Sequence, residues 1–539
     1  MNRRSFLSKP LIQDILSTSS NTITSNKFKN QPDVPLGSGS DLSPYQPRPD
    51  KPWNARRAAH LLRRANFGCN WIDIIDAVKT SPKNLISKML SPGPLPLPPV
   101  DNNATGTYKK DWTNQQPFAY VDNVERSYYY ARLRDTMEWW YDLMMKPAQG
   151  LREKMVWFWH NHFTSDFTTV QVAQYIFIQN QLFREFAFGD FKSLTKKVTI
   201  DPAMLIYLDG RYNIAGNPNE NFAREILELF SIGIGNYSDG TPHYSEKDII
   251  ALARSFTGWS NLGLGSNFNS ARFDNGEKEI FGEKKNFGIE GKAQFDVIDH
   301  IFSQIDKDQN INRSAVFICE KLYKYFVYEV PNPDIVKGMS QTLVSNNWNI
   351  SKVLEQLLQS EHFFDEQIIG AKIKSPIDFV VDANKELNTK SPMDRTKTDI
   401  SVPYTHDPIT ASMHLSQWMF YPPNVKGWLG WRTWISGVTM PLRINYTKYW
   451  IEPITGSLAY NFDPIALVKS MPNSEDVHKV LDNLLALFIP IDVSDNMKAD
   501  LLDALLAGGF DYEWDVDKSS QRIRSCISKI MGLGEYQLM

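Results

Sequence analysis

The residues best able to do chemistry in this 539-residue chain gather in a few short stretches. The first is Trp157-Phe158-Trp159-His160-Asn161-His162-Phe163. Imidazole is the commonest metal ligand and the side chain that titrates nearest neutral pH. His160 and His162 stand two residues apart, about 200° round a regular helix, so they share one ion only where that helix ends. Thr164-Ser165-Asp166 supplies such an ending. The alternative is that both histidines cap a helix C-terminus and hydrogen-bond inside an aromatic core.

The second stretch, Asn219 to Phe230, reads as an amphipathic helix. At about 100° per residue, Phe222, Ile226, Leu229 and Phe230 gather on one face. Glu220, Arg224 and Glu228 fall opposite at i, i+4 spacing, an ion-pair ladder worth a few tenths of a kcal/mol per pair. Glu225 falls at the apolar edge beside Leu229, where a carboxylate needs a partner or a shifted pKa. A divalent metal or a buried arginine would serve. The candidate metal ligands are therefore His160, His162 and Glu225. The candidate acid/base groups are Glu225, Glu228, Asp209 and Arg224.

Asp209 comes from a third stretch, Asp201 to Arg211. Asp201 before Pro202 reads as a helix N-cap followed by proline at the first helical position, which accounts for it structurally. Asp209, just before Gly210, is freer to face a cleft. The fourth stretch is Pro422-Pro423-Asn424-Val425-Lys426-Gly427-Trp428 with Trp431-Arg432-Thr433-Trp434. Trp428, Trp431 and Trp434 could stack on a sugar or a peptide, or simply pack a rigid loop. Nowhere is there a GxSxG elbow, a phosphate-binding Walker loop, an HExxH pair, a dinucleotide GxGxxG or the ExxH repeat of helical di-iron proteins.

The elements that must position these groups are mostly helices. Ala58 to Phe67, Val121 to Met145, Leu151 to Phe163, Thr169 to Phe188, Asn219 to Ile232 and Ser245 to Thr257 carry helical periodicity. Further helices follow at Phe295 to Gln304, Ala315 to Tyr328, Ile350 to Gln359, Ile377 to Leu387 and from Pro464 onward. Between them Phe273-Asp274-Asn275-Gly276-Glu277 reads as a β-hairpin around an Asn-Gly turn. Pro92 to Pro99 is a proline-rich loop that cannot be helical. The expected fold is mainly α, a single large helical domain over 53–539 with a small β-hairpin insertion. Residues 1–52 read as a degenerate targeting segment followed by a disordered linker rich in Ser, Asn, Asp, Gly and Pro.

A net charge of −3 offers no basic excess for a phosphate backbone, so nucleic acid is not an expected partner. No apolar run is long enough to span a bilayer. The three cysteines, Cys69, Cys319 and Cys526, show no metal-ligand or redox spacing. Arg3-Arg4-Ser5-Phe6-Leu7 has the form of a twin-arginine export signal, yet the apolar segment that should follow is replaced by Ser8-Lys9-Pro10-Leu11-Ile12-Gln13-Asp14.

Taken in order, these stretches resemble the domain of unknown function 1800 family. The resemblance rests on Ala59-His60-Leu61-Leu62-Arg63-Arg64-Ala65 with Phe67-Gly68, and on Leu151-Arg152-Glu153-Lys154-Met155 running into the His160 and His162 stretch. Asp201 to Asp209, Asn219 to Phe230, Thr257-Gly258-Trp259, Pro422 to Trp428, Trp434-Ile435 and Arg443 continue it. It covers 53–450 by motif, and the helices of 451–539 look like the family's C-terminal part. The family carries no established activity. Its members often begin with a twin-arginine signal and are often encoded beside a second uncharacterised exported protein. The resemblance therefore implies a periplasmic or envelope location and that protein as a partner, or a cytoplasmic location where the atypical signal does not work. One departure is Phe273-Asp274 where the family tends to show His-Asp ahead of its Gly-x-Lys.

Three functions follow as expectations. One is an envelope enzyme with a metal or acid/base centre at His160, His162 and Glu225. Another is a non-catalytic binding or assembly protein acting with the exported partner. The third is polysaccharide binding through the tryptophans.

Overall fold

Helices in this chain start where the sequence offers a cap. Asn54, Asp201, Asn312 and Ser375 each turn a side-chain oxygen onto an N–H of the first turn, and Asn70 and Ser245 complete reciprocal capping boxes. Pro202 and Pro376 follow their caps at the first helical position. A computed structural model describes residues 34–37, 39–91, 93–100, 111–117, 123–235, 240–288, 293–306, 310–389, 407–452, 462–507 and 516–539. Among them are 22 α-helices and three two-stranded antiparallel sheets. The fold is thus mainly α, as expected. No helix among the described residues is long and apolar enough to cross a membrane.

The chain divides into two units, Met1–Pro35 and Leu36–Met539. The twin-arginine segment lies outside the described residues. Within the stretch expected to be linker, Asp41 to Tyr45 is held in place. Tyr45 is buried and donates its N–H to Gln359 O, while Glu361 N–H and His362 N–H donate to Ser43 O and Asp41 O. Composition pointed to a linker, but one aromatic anchor with these backbone bonds is enough to hold the stretch. The hairpin also moves. The strands are Trp259–Leu262 with Gly265–Phe268, and Lys278–Ile280 with Glu283–Lys285. Asn275-Gly276 lies ahead of the second pair. Its turn is set by Asp274, which accepts from Gly276 N–H and pairs with Arg254 at 2.7 Å.

Two helices organise the core. Gly150–His162 brings Trp157, Phe158 and Trp159 into it, all buried. Pro376–Glu386 is buried at every residue, although it carries Asp378, Asp382, Lys385 and Glu386. Lys374 Nζ stands 2.7 Å from Asp382 and Lys154 pairs with Asp378. Arg63 lies 4.0 Å from Asp382, and Tyr536 donates to Glu386 at 2.7 Å. Arg64 and Arg443 give their guanidinium N–H groups to backbone carbonyls of Val327, Ile368 and Lys374. The Ala59 to Gly68 motif is thereby explained as architecture. His60 bonds Phe363 O, Arg63 and Arg64 enter this network, and Gly68, at φ +81°, leaves room for Asp382. Cys69, Cys319 and Cys526 are free and buried.

Candidate functional site

The stretches that carried the sequence reading converge. Asn161 Oδ1 accepts from Trp428 N–H at 2.8 Å, and Thr164 Oγ1 donates to Val425 O at 2.6 Å. Phe167 N–H donates to Phe420 O at 3.0 Å. The proline loop is thus laced to the end of the Gly150–His162 helix. Lys426 of that loop reaches Glu228 at 3.7 Å.

The two histidines part company at the helix end. His160 turns among Trp140, Trp157, Phe420 and Trp428, with ring centroids 5.1–5.7 Å away. Its Nε2 accepts from Phe420 N–H at 3.3 Å. His162 packs against Phe163 and Phe230, and its Nε2 lies 3.1 Å from Phe230 O. A carbonyl can only accept, so Nε2 carries the proton and Nδ1 is the acceptor, taking a hydrogen bond from Lys321 Nζ at 3.1 Å. Burial holds both rings neutral, His160 down to about 3 and His162 well below the ordinary value, with Lys321 adding to the latter.

The expected metal set is therefore not assembled. His160 is committed to a backbone N–H and His162 to a carbonyl and an amine, and no carboxylate of the described residues is bonded to either. Among the described residues no three His, Cys, Asp or Glu side chains stand together to hold a metal ion. His162 does meet the Asn219 to Phe230 stretch, as its burial demanded, but at a backbone oxygen.

That oxygen is free because the stretch changes helix type. Glu220–Glu225 is α-helical, and Ile226–Ser231 is a π-helical turn, in which Ile232 N–H reaches back to Leu227 O at 3.2 Å. Single π turns inside helices are rare and frequent at functional sites. Carbonyls at its end are closed by side chains: Leu229 O by Lys321 at 2.8 Å, Phe230 O by His162, Ile232 O by His243 at 2.7 Å. The wider turn also corrects the ion-pair ladder. Arg224 keeps Glu220 at 3.6 Å and takes Glu246 at 2.9 Å, while Glu228 leaves it for Lys426. Leu227 goes into the core and Leu229 to its edge.

Glu225 is half-buried and makes no side-chain hydrogen bond among the described residues. Burial pushes its carboxyl up, the neighbouring Glu228 adds to this, and Lys426 and Arg224 oppose it. Tyr207, which the sequence reading passed over, belongs to the same group. Burial and then the charges of Asp166 and Glu225 push its hydroxyl up to about 12, with Thr164 opposing them. Its position in the Asp201 to Arg211 stretch was the available signal. Asp201 caps its helix as expected, accepting from Met204 N–H at 2.9 Å. Asp209 is exposed with φ +57°, and its backbone oxygen accepts from Asn219. Arg224 is engaged by two surface glutamates.

The tryptophans separate too. Trp428 and Trp434 are buried, Trp428 stacked on Trp157 at 5.6 Å, so they pack the loop rather than face solvent. A cleft of about 990 Å³ opens elsewhere, lined by residues that include His243, Tyr244, Asp248, Arg254 and Arg313, and includes none of the expected site residues. Phe273, at the departure from the family pattern, is buried. The Lys278 ammonium beside it bonds Asn286 and Phe287 O at 3.1 Å. That segment acts as a structural staple.

The neutrality of His160 has a measurable consequence. Its folded pKa is depressed, so below about pH 6.5 the unfolded chain binds a proton that the folded chain refuses until about 3. The contribution is complete above 6.5 and is lost as pH falls, by about 1.4 kcal/mol per pH unit. His160→Gln, which can still accept from Phe420 N–H, is expected to flatten the stability profile by that slope between pH 6.5 and 4.5. Denaturant melts across this range check it; parallel profiles refute it.

A family model described as "Protein of unknown function (DUF1800)" matches residues 60–538. No curated protein and no solved structure matches the chain.

Proposed function

The chain belongs to the family described as Protein of unknown function (DUF1800), and from that premise we propose that it works through an acid/base centre at Glu225 and Glu228. The observation that carries the reading is a half-buried carboxyl with no hydrogen-bond partner, beside a second carboxylate on a π-helical turn. Glu225 is the proton carrier: burial moves its carboxyl upward, in the direction that suits a general acid or base. Burial raises that carboxyl, and Glu228, anchored by Lys426, is the charged neighbour that adds to it. Tyr207 is the nearby hydroxyl donor. Asp209 stands at the margin, and Arg224 tunes the pair only through its field.

Two measurements test this. Carbon-13 NMR of the glutamate carboxyls is expected to place Glu225 above 4.5, moving down in Glu228→Gln. Glu225→Gln is expected to lower turnover about 10²–10⁴-fold on whichever ester, amide, glycoside or phosphoester of a chromogenic panel the full chain cleaves. An unshifted Glu225 carboxyl ends the proposal.

A second reading, binding of a polysaccharide, has one observation in its favour, on different residues from those first expected. Trp418 and Tyr421 stack with centroids 3.6 Å apart and planes at 17°, and Trp418 is exposed. A glycan array with wild type and Trp418→Ala separates it from the first. The envelope location and an exported partner belong to the same proposal. They are supported by family membership and by Arg3-Arg4-Ser5-Phe6-Leu7. Cell fractionation of wild type against Arg3→Lys/Arg4→Lys tests the export, and co-purification from the envelope fraction tests the partner.

A further inference from the structure

We propose that Lys321 is a nucleophilic amine site that condenses with a small aldehyde, independently of the Glu225 centre. Lys321 sits on the Arg313–Phe326 helix, half-buried, with its nitrogen 4.6 Å from the Phe317 ring centroid. That nitrogen has two hydrogen-bond partners, Leu229 O at 2.8 Å and His162 Nδ1 at 3.1 Å. Both are acceptors, the carbonyl by nature and Nδ1 because the ring's proton is fixed on Nε2 by Phe230 O.

Two protein acceptors match the two N–H groups of a neutral amine. A neutral amine has two N–H groups and one lone pair. Here both N–H groups are placed and the lone pair meets no donor. An ammonium would carry a third N–H that no described residue accepts, and among the described residues no carboxylate lies within ion-pair distance of it. Burial and the neighbouring Lys324 charge favour the same state, drawing the amine down to about 7. A desolvated lysine near another cation is one recognised form of activated amine nucleophile.

In the condensation the Lys321 lone pair forms a C–N bond to the aldehyde carbon while the carbonyl π electrons pass to oxygen. Proton transfer from nitrogen to oxygen gives the carbinolamine. Its C–O bond then breaks, hydroxide leaves with a proton as water, and the remaining N–H proton is lost to give the neutral imine. One aldehyde is consumed and one water released, with no oxidant or reductant.

The probe is formaldehyde, with cyanoborohydride added to trap the imine as methylamine. The full chain is labelled at limiting formaldehyde and each lysine is quantified by peptide mass spectrometry. At pH 7 Lys321 is expected to label at least five-fold faster than the exposed Lys324 on the same helix. That preference is expected to shrink as pH rises to 10, where raising the pH no longer adds to the neutral fraction of Lys321. Lys321→Met removes the label at this position and confirms the peptide assignment. Labelling of Lys321 at or below the rate of Lys324 at pH 7 overturns the proposal, whether the cause is a protonated amine or a closed approach.

Discussion

Asp382→Ala is expected to lower folding stability by about 3–5 kcal/mol, the range for removing one partner of a buried ion pair. The carboxylate is 2% exposed, inside a helix buried at every residue. It sits 2.7 Å from Lys374 and 4.0 Å from Arg63, and accepts from Cys69 N–H at 3.3 Å. The surrounding cluster contains six basic side chains, Arg63, Arg64, Lys154, Lys374, Lys385 and Arg443. Against them stand three acidic ones, Asp378, Asp382 and Glu386. Backbone carbonyls and the Tyr536 ring, 4.0 Å from Lys374 Nζ, offset part of the excess. Losing Asp382 strands Lys374 without its closest counter-charge.

Asp299→Ala supplies the contrast. Asp299 is half exposed and pairs with Lys196 at 2.7 Å and Lys192 at 3.1 Å, in water that screens both. Its loss is expected to cost under about 1 kcal/mol. Denaturant melts of the two variants side by side decide the matter. Equal small losses would show that the buried network contributes no more than a surface pair.

How much of this was readable from sequence depends on how far each contact reaches. Asp201 was fully legible, because capping is decided within four residues. The burial of His160 and His162 was legible from the three aromatic residues preceding them. Their partners were not: Phe420 N–H is 260 positions from His160, and Phe230 O is 68 from His162. No propensity rule signals the π turn at Ile226–Ser231, so the α-helical spacing gave Glu228 to Arg224 rather than to Lys426. For Glu225 the apolar edge called for a partner or a shifted pKa, and burial, which either helix geometry imposes, sets the direction upward. Asn275-Gly276 misled for the opposite reason. Its local turn preference is real, but Arg254 claims Asp274 and sets the turn ahead of the strands rather than between them.

Gly427→Ala is expected to cost about 2–4 kcal/mol and to disturb the candidate site without touching a titrating group. Gly427 has φ +73°, a left-handed conformation that costs a residue with a Cβ about 1–2 kcal/mol. That Cβ would also lie 2.2 Å from Asn161 Oδ1 and 2.7 Å from Asn161 O. Backbone cannot give way as a flexible side-chain tip would, so the loop must move. Asn161 Oδ1 is the acceptor for Trp428 N–H, and Trp428 stacks on Trp157, so the displacement loosens the lacing between loop and helix. Lys426 immediately precedes the glycine and is the cation that holds Glu228 and lowers Glu225. Drawing Lys426 away raises the Glu225 carboxyl further, a change in carbon-13 titration that a purely global loss of stability would not produce. Gly437→Ala, where a Cβ meets nothing within 4 Å, is expected to leave both stability and titration unchanged. A Gly427→Ala protein that melts with wild type, or one that is destabilised while Glu225 titrates as before, would sever the loop from the carboxylate pair and leave Lys426 without a role in the site.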